Sequence, residues 1–193
     1  MKKISYVFSL IMVFVLSLGV FTVGSSKEVA ASIITTNSAI LDKLVGDIYI
    51  GSFFGSGIKN QYGMTLTVSK NSTGKYLATL NTYNTTLNTN DISDKSWNSL
   101  RGTYNLSVSY NTSTAQYQLS GGRYSGSNSP ASTVALYGKL SGGTFYGYMI
   151  SNNNAASRFN FNLTREIADY ICWDDFVNGI GSCDIYGYHP VEY

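Results

Sequence analysis

Three stretches of the chain alternate between apolar and polar residues: Gly63-Met64-Thr65-Leu66-Thr67-Val68, Tyr104-Asn105-Leu106-Ser107-Val108-Ser109-Tyr110 and Phe159-Asn160-Phe161-Asn162-Leu163. A period of two puts the apolar side chains of each stretch on one face of a strand. Less regular segments of the same kind occupy residues 47–54, 75–83, 115–120, 133–140 and 144–151, so about eight half-buried strands are predicted. Asn71-Ser72-Thr73-Gly74, Asn111-Thr112-Ser113-Thr114 and Ser141-Gly142-Gly143 have the composition of tight turns between sequential neighbours. Sequential neighbours joined in this way make an antiparallel meander. The expected fold is therefore all-β: an eight-stranded up-and-down barrel, which removes both sheet edges, with a two-sheet sandwich as the alternative. Two longer excursions, 85–100 and 121–132, interrupt the hairpin rhythm and are expected as loops at the barrel mouths.

The flanking segments follow other patterns. Met1-Lys2-Lys3, an apolar run over 4–23 and Val29-Ala30-Ala31 have the layout of a secretory signal peptide cleaved after Ala31. An uncleaved anchor is the alternative, because about 20 apolar residues also suffice to cross a bilayer. Within the lead-in 32–46, residues 37–45 read as a short helix: Asn37 or Ser38 as the cap, Ile40, Leu41, Leu44 and Val45 on one face, and Gly46 as the stop. Such a helix is expected to plug a barrel end. The barrel domain spans 47–165, and the tail 166–193 differs from it in composition. A short helix is expected over 166–178, ended by Gly179, with Ile167 and Ile171 inward. Cys172 and Cys183, the two cysteines of an exported chain, are expected to pair.

Charge narrows the functional classes. The whole chain carries 13 basic and 11 acidic residues; cleavage removes Lys2, Lys3, Lys27 and Glu28 and leaves the remainder balanced. With no basic stripe, nucleic acid and anionic lipid headgroups are disfavoured as partners, and no membrane association is expected after cleavage. Asn, Ser, Thr, Gly and Tyr must then supply the solubility.

Catalytic side chains are scarce. Residues 47–165 contain no His, Cys or Glu. The single histidine, His189, stands near the C-terminus outside any nucleophile motif and reads as an exposed tail residue. Asp174-Asp175 with Asp184 read as solvated acids of a tail loop, and Asn88-Thr89-Asn90-Asp91 with Asp94 lacks the Gly and distal Glu of a calcium hand. A glycosidase needs two facing carboxylates, and the barrel segment offers only Asp47, Asp91 and Asp94. No enzyme activity, metal or cofactor is expected.

The positive signal is aromatic. Sixteen tyrosines supply flat apolar rings with a hydroxyl at the tip, suited to sugar faces, peptide surfaces or small amphiphiles. Tyr104, Tyr110, Phe159 and Phe161 fall in phase with core positions. Phe145-Tyr146-Gly147-Tyr148 puts aromatics on both faces of one strand, and Trp97 and Arg123-Tyr124 fall in or beside the mouth loops. Trp97, Arg123, Tyr124, Tyr146 and Tyr148 are therefore the candidate ligand-binding residues.

Strand count, hairpin spacing and a short helix before the first strand give residues 46–165 a resemblance to the calycin and avidin class of small secreted β-barrels. Two departures bear on function: Gly46-Asp47-Ile48-Tyr49 stands where the lipocalin opening has Trp after its Gly, and the tryptophans of an avidin biotin site are missing. Gly102-Thr103-Tyr104, Gly122-Arg123-Tyr124, Leu136-Tyr137-Gly138-Lys139-Leu140 and Phe159-Asn160-Phe161-Asn162-Leu163-Thr164-Arg165 also resemble an uncharacterised bacterial β-domain, which implies no activity. The expectation is a secreted, non-enzymatic binding module for a small amphiphile, sugar or peptide. The alternative is an extracellular surface or self-assembly protein, or a toxin or inhibitor acting on other cells. Neither the partner (small molecule, glycan or protein) nor the oligomeric state is specified by the residues.

Overall fold

The structure, a computed structural model, describes residues 37–55, 61–125, 131–175 and 180–191. The expected signal segment and its cleavage point lie outside them. Nine antiparallel strands form one sheet among the described residues: β1 (Ile48–Gly55), β2 (Tyr62–Lys70), β3 (Tyr76–Tyr83), β4 (Leu100–Asn111), β5 (Gln116–Ser125), β6 (Thr133–Ser141), β7 (Thr144–Ser151), β8 (Asn154–Asp175) and β9 (Ile180–Pro190). Each of the first eight pairs with the next, and β1 also pairs with β8 from Ile48↔Glu166 to Gly55↔Phe159. That last ladder closes the sheet into the expected eight-stranded barrel, and β9 is an extra strand on the overrun of β8.

The period-two pattern becomes the barrel wall. Inward positions carry Tyr49, Met64, Leu66, Val68, Leu80, Leu106, Leu119, Leu136, Phe145 and Leu163, all essentially buried. Outward positions on β4 to β8 are largely Asn, Ser, Gln, Lys and Thr, such as Asn105, Ser107, Ser120, Lys139 and Asn162. That polarity is the reverse of a barrel that faces lipid. Close strand approach is built in at inward glycines. A Cβ on Gly51 would lie 2.1 Å from the Asn162 carbonyl oxygen across the closing ladder, and one on Gly121 would lie 1.9 Å from that of Asn105. Only glycine admits so tight a bend of the wall.

One end of the barrel is filled and sealed. Phe145 is its hub, 6.3 Å from the Tyr49 ring, 6.0 Å from Tyr117 and 5.2 Å from Phe161. Gly138 makes room for it, since a Cβ there would come within 2.6 Å of the Phe145 ring. The helical turns over 37–44 end in a 3-10 turn, Asp42–Leu44, where Leu44 is fully buried. Gly46, at φ +95°, then turns the chain into β1. The Tyr76 hydroxyl donates to Asp42 Oδ1 at 2.7 Å and Lys70 Nζ donates to it at 3.0 Å, tying this turn to the β2–β3 hairpin. Both bonds favour the ionised Asp42 and hold its carboxyl below the usual range, the Tyr76 bond contributing most.

The tail departs from expectation. Residues 166–175 continue β8 instead of forming a helix, and 176–178 lie outside the described residues. Ile167, Tyr170, Ile171 and Trp173 are β-branched or aromatic, and once β8 is seated in the barrel its backbone is already extended and offers a ladder to β9. The expected disulfide is present, joining the directly opposed Cys172 and Cys183 with Cα atoms 4.1 Å apart. His189 is exposed, yet it belongs to β9 and meets Asp169, Nδ1 to Oδ1, at 2.6 Å. Beside it Glu166 is only 6% exposed, and its Oε2 has no hydrogen-bond partner among the described residues. Burial raises the Glu166 pKa, with the His189 charge opposing and Asp169 adding to the rise.

The folded state holds the Glu166 proton more tightly than the unfolded chain does. Stability is therefore lost as pH rises from the ordinary glutamate range through the raised folded value, the reverse of Asp42, whose contribution is lost as pH falls. Glu166→Gln should stabilise the protein at pH 7 by about 1 kcal/mol, because the neutral amide removes the desolvated charge, and should flatten that loss in pH-dependent denaturation. Reduction of Cys172–Cys183 should raise amide exchange about tenfold or more over 170–175 and 180–185 while β1 to β7 stay protected, as read by hydrogen-exchange mass spectrometry.

Candidate ligand cavity at the barrel mouth

In an up-and-down barrel the ends of odd strands and the starts of even strands gather at one rim. Here that rim, opposite the sealed end, surrounds a cavity of about 190 Å³. Its wall comes from the ends of β1 (Phe53), β3 (Thr82) and β7 (Met149, Ser151), from the starts of β2 (Tyr62), β4 (Arg101, Tyr104), β6 (Val134) and β8 (Phe159), and from Ala131 before β6. The lining is mostly apolar because the same inward alternation that fills the floor continues upward. Three aromatic rings of the lining gather around Phe53. Phe53 lies against Tyr62 at 5.3 Å, nearly parallel, and meets Phe159 edge-on at 5.9 Å.

The polar groups of the wall are few and fixed. The Tyr104 hydroxyl donates to the Ala131 carbonyl at 3.2 Å, and the Thr82 hydroxyl donates to the Gly102 carbonyl at 3.3 Å. Arg101 is the one charged residue of the described lining, its guanidinium 5.2 Å from the centre of the Tyr62 ring. This geometry suits reversible capture of a small molecule with an apolar body. Among the described lining residues no carboxylate, imidazole or thiol is placed to move a proton or attack a substrate.

The five aromatic and cationic candidates read from the sequence are not brought together in this cavity. Trp97 sits in the 84–99 excursion, which folds back along the outside of the barrel instead of guarding its mouth. Its indole Nε1 donates to the Asn88 carbonyl at 2.7 Å, and its ring lies 6.0 Å from Tyr83 and 5.7 Å from Tyr188 of β9. The excursion also bonds β9 through its backbone, Tyr188 N–H to the Thr89 carbonyl and Ile92 N–H to the Tyr186 carbonyl. Beneath it, outward Gly63 is buried, and a Cβ there would meet Leu87. Trp97 is thus the centre of a second apolar layer on the outer wall.

Arg123 and Tyr124 belong to β5, which runs on to Ser125, so the expected 121–132 loop is shorter than the sequence implied; 126–130 lie outside the described residues. Arg123 faces Tyr104 at the rim, and Tyr124, 75% exposed, is the extra residue of a bulge between Tyr104↔Arg123 and Thr103↔Ser125. Tyr146 and Tyr148 share the outer face of β7. Tyr148 stacks on Tyr137 of β6 at 5.1 Å with the Arg158 guanidinium 3.8 Å from its ring centre, while Tyr146 is exposed.

Sequence reasoning missed Arg101, because it fell at the close of an expected loop. Thr82, Val134 and Ser151 were missed too, because each reads as an ordinary strand terminus. Phe159 was placed in phase with the core and is in fact the cavity wall. Comparison of the chain with protein-family models, with characterised proteins and with solved structures finds no match.

If Trp97 is structural, Trp97→Ala should destabilise the protein by about 2–3 kcal/mol in urea denaturation, somewhat below the cost of truncating a fully buried Trp. It should also loosen β9 while leaving the mouth cavity intact.

Proposed function

We propose that this protein is an exported, non-enzymatic module that binds a small, largely apolar molecule inside the mouth of its barrel. The observation that carries this reading is the division of the bore: one half is filled by buried side chains around Phe145 and Leu44, while in the other the described residues wall a cavity. An interior built only for stability would be filled throughout, because each void forfeits packing energy. Small-molecule sites combine an apolar wall with a few placed polar groups, and barrel mouths are among their preferred positions. The resemblance to calycin-like barrels accords with such a use.

Export fits the same picture. A disulfide persists in oxidising compartments, and the sequence opens with a signal-like segment. Among the described residues no helix is long and apolar enough to cross a membrane. The mature protein is expected to begin at Ser32, which N-terminal sequencing of the exported form would read directly.

The decisive experiment is an NMR titration with toluene as a neutral probe. Amide shifts are expected to cluster at Phe53, Tyr62, Met149 and Phe159, and Met149→Trp, which fills the cavity, should weaken binding at least tenfold. Trp97→Ala should leave binding unchanged, since Trp97 lies on the outer wall. Absence of shifts at the mouth, together with concentration-dependent association in sedimentation, would instead favour a surface or self-assembly protein acting through exposed Tyr124, Tyr146 and Tyr170.

A further inference from the structure

We propose that the outer face of β6, β7 and β8 is a second binding site, which takes the extended chain of an acidic polysaccharide. Sugar rings pack on Tyr146, their hydroxyls meet the amides of Asn160 and Asn162, and their carboxylates meet Arg158 and Lys139. The site is on the outside of the barrel wall and does not depend on the mouth cavity.

Strand alternation builds this face. On β7 the inward residues are Phe145 and Met149, so Tyr146 and Tyr148 point outward. The ladders then set Lys139 and Asn162 on either side of Tyr146, and Tyr137 and Asn160 on either side of Tyr148. Gly147, between the two tyrosines, lets β6 and β7 approach closely, since a Cβ there would collide with the Tyr137 carbonyl oxygen. Tyr137 and Tyr148 stack at 5.1 Å with their planes 20° apart, and the Arg158 guanidinium lies 3.8 Å from the centre of the Tyr148 ring. Planar groups from three adjacent strands are thus stacked in one row.

The chemistry of that row is turned to solvent. Lys139, Tyr146, Arg158, Asn160 and Asn162 are all exposed. The Arg158 guanidinium is held through its face by the Tyr148 ring, and its edge N–H groups have no hydrogen-bond or ionic partner among the described residues; nor has the Lys139 ammonium or either amide. A stacked guanidinium keeps its plane while its fork stays free for the two oxygens of a carboxylate. An amide offers both donor and acceptor, as sugar hydroxyls require, and an exposed Tyr ring offers a flat apolar surface.

Charge selects an anion. From Lys95 to Arg165 the chain carries six basic residues and no Asp or Glu, so no carboxylate of this face repels one. Other anionic partners fit less well. Two cations are too few to track a phosphate backbone. Among the described residues of 133–164 Tyr146 is the one large apolar side chain that is exposed, too little to enter a membrane interface. Each strand of the face is paired on both sides, which leaves no backbone edge for an added peptide strand. The rows of Tyr146 and Tyr148 stand about 7 Å apart along the strand, so the contacts spread along a chain instead of converging on one small molecule.

The test is an NMR titration of the exported protein with three probes: hexagalacturonate, its methyl ester, in which the carboxylates are neutral, and polyphosphate, a charged chain without rings. Hexagalacturonate should shift the amides of 137–139, 146–148 and 158–162, and the ester should bind about fivefold to thirtyfold more weakly. Tyr146→Ala should weaken hexagalacturonate binding about threefold to tenfold, and Arg158→Gln should narrow its advantage over the ester. Tyr124→Ala removes an exposed tyrosine outside the face and should leave binding unchanged. Dispersed spectra show in the same experiment that each variant is folded. Ester or polyphosphate binding as tight as that of hexagalacturonate, or no effect of Tyr146→Ala, would overturn the acidic-sugar assignment. Absence of hexagalacturonate binding, or shifts confined to the mouth, would overturn the site itself, whereas the cavity reading stands or falls separately on the toluene titration.

Discussion

The β1–β8 ladder is the constraint on which the rest of the structure depends. Pairing of Ile48 through Gly55 with Phe159 through Glu166 removes both edges of an eight-stranded sheet and defines an inside. Few charged residues protect the sheet, and closure makes such protection unnecessary. The ladder tolerates no Cβ at Gly51, so its close backbone approach is set by a single glycine position. Every inward residue on every strand acquires its role from this closure: the Leu and Phe residues of the floor, and equally Phe53, Tyr62, Met149 and Phe159 of the mouth.

Closure also explains what lies outside the barrel. The strand β8 is longer than its partners, and beyond the seam it exposes an edge that β9 covers and the Cys172–Cys183 bond secures. The 84–99 excursion then joins β9 by backbone hydrogen bonds and by the contact of Trp97 with Tyr188. A layer of Tyr83, Leu87, Trp97 and Tyr188 results, which accounts for aromatic residues that neither fill the bore nor line the cavity. One cost of this seam is Glu166, whose carboxyl is carried into the junction of β1, β8 and β9 with its pKa raised by burial.

Much of the barrel was legible in the sequence because period-two alternation is a direct consequence of strand geometry. Met64 to Val68, Tyr104 to Tyr110 and Phe159 to Leu163 are inward and outward in the order their polarity implies, and the tight turns at Asn71, Asn111 and Ser141 fall where Gly, Asn and Ser cluster. The tail was misread as a helix because Glu166 to Trp173 has no clean period. Its strand conformation is imposed by the ladder before it and by a partner far along the chain. The site was less legible still. Arg101 reaches the cavity through a bulge, which a one-residue offset between β3 and β4 creates and no local pattern announces. Trp97 and Tyr148 looked available because exposure was inferred from loop position or strand face. The Trp97 ring is placed by Tyr188, far along the chain, and that of Tyr148 by Tyr137 and Arg158 of the neighbouring strands, while Tyr146 is exposed.

The bore is filled with side chains at one end and walls a cavity at the other, and the two methionines of residues 32–193 report on the two halves separately. Met64 belongs to the packed floor and Met149 to the cavity wall. Methyl NMR of 13C-labelled methionine under xenon pressure tests the division directly, because xenon enters apolar cavities without specific recognition. The Met149 methyl should shift progressively with pressure while Met64 stays fixed. Two unmoved methyls would mean that the mouth is filled, and equal movement of both would mean that the floor is not packed; either result would contradict the account.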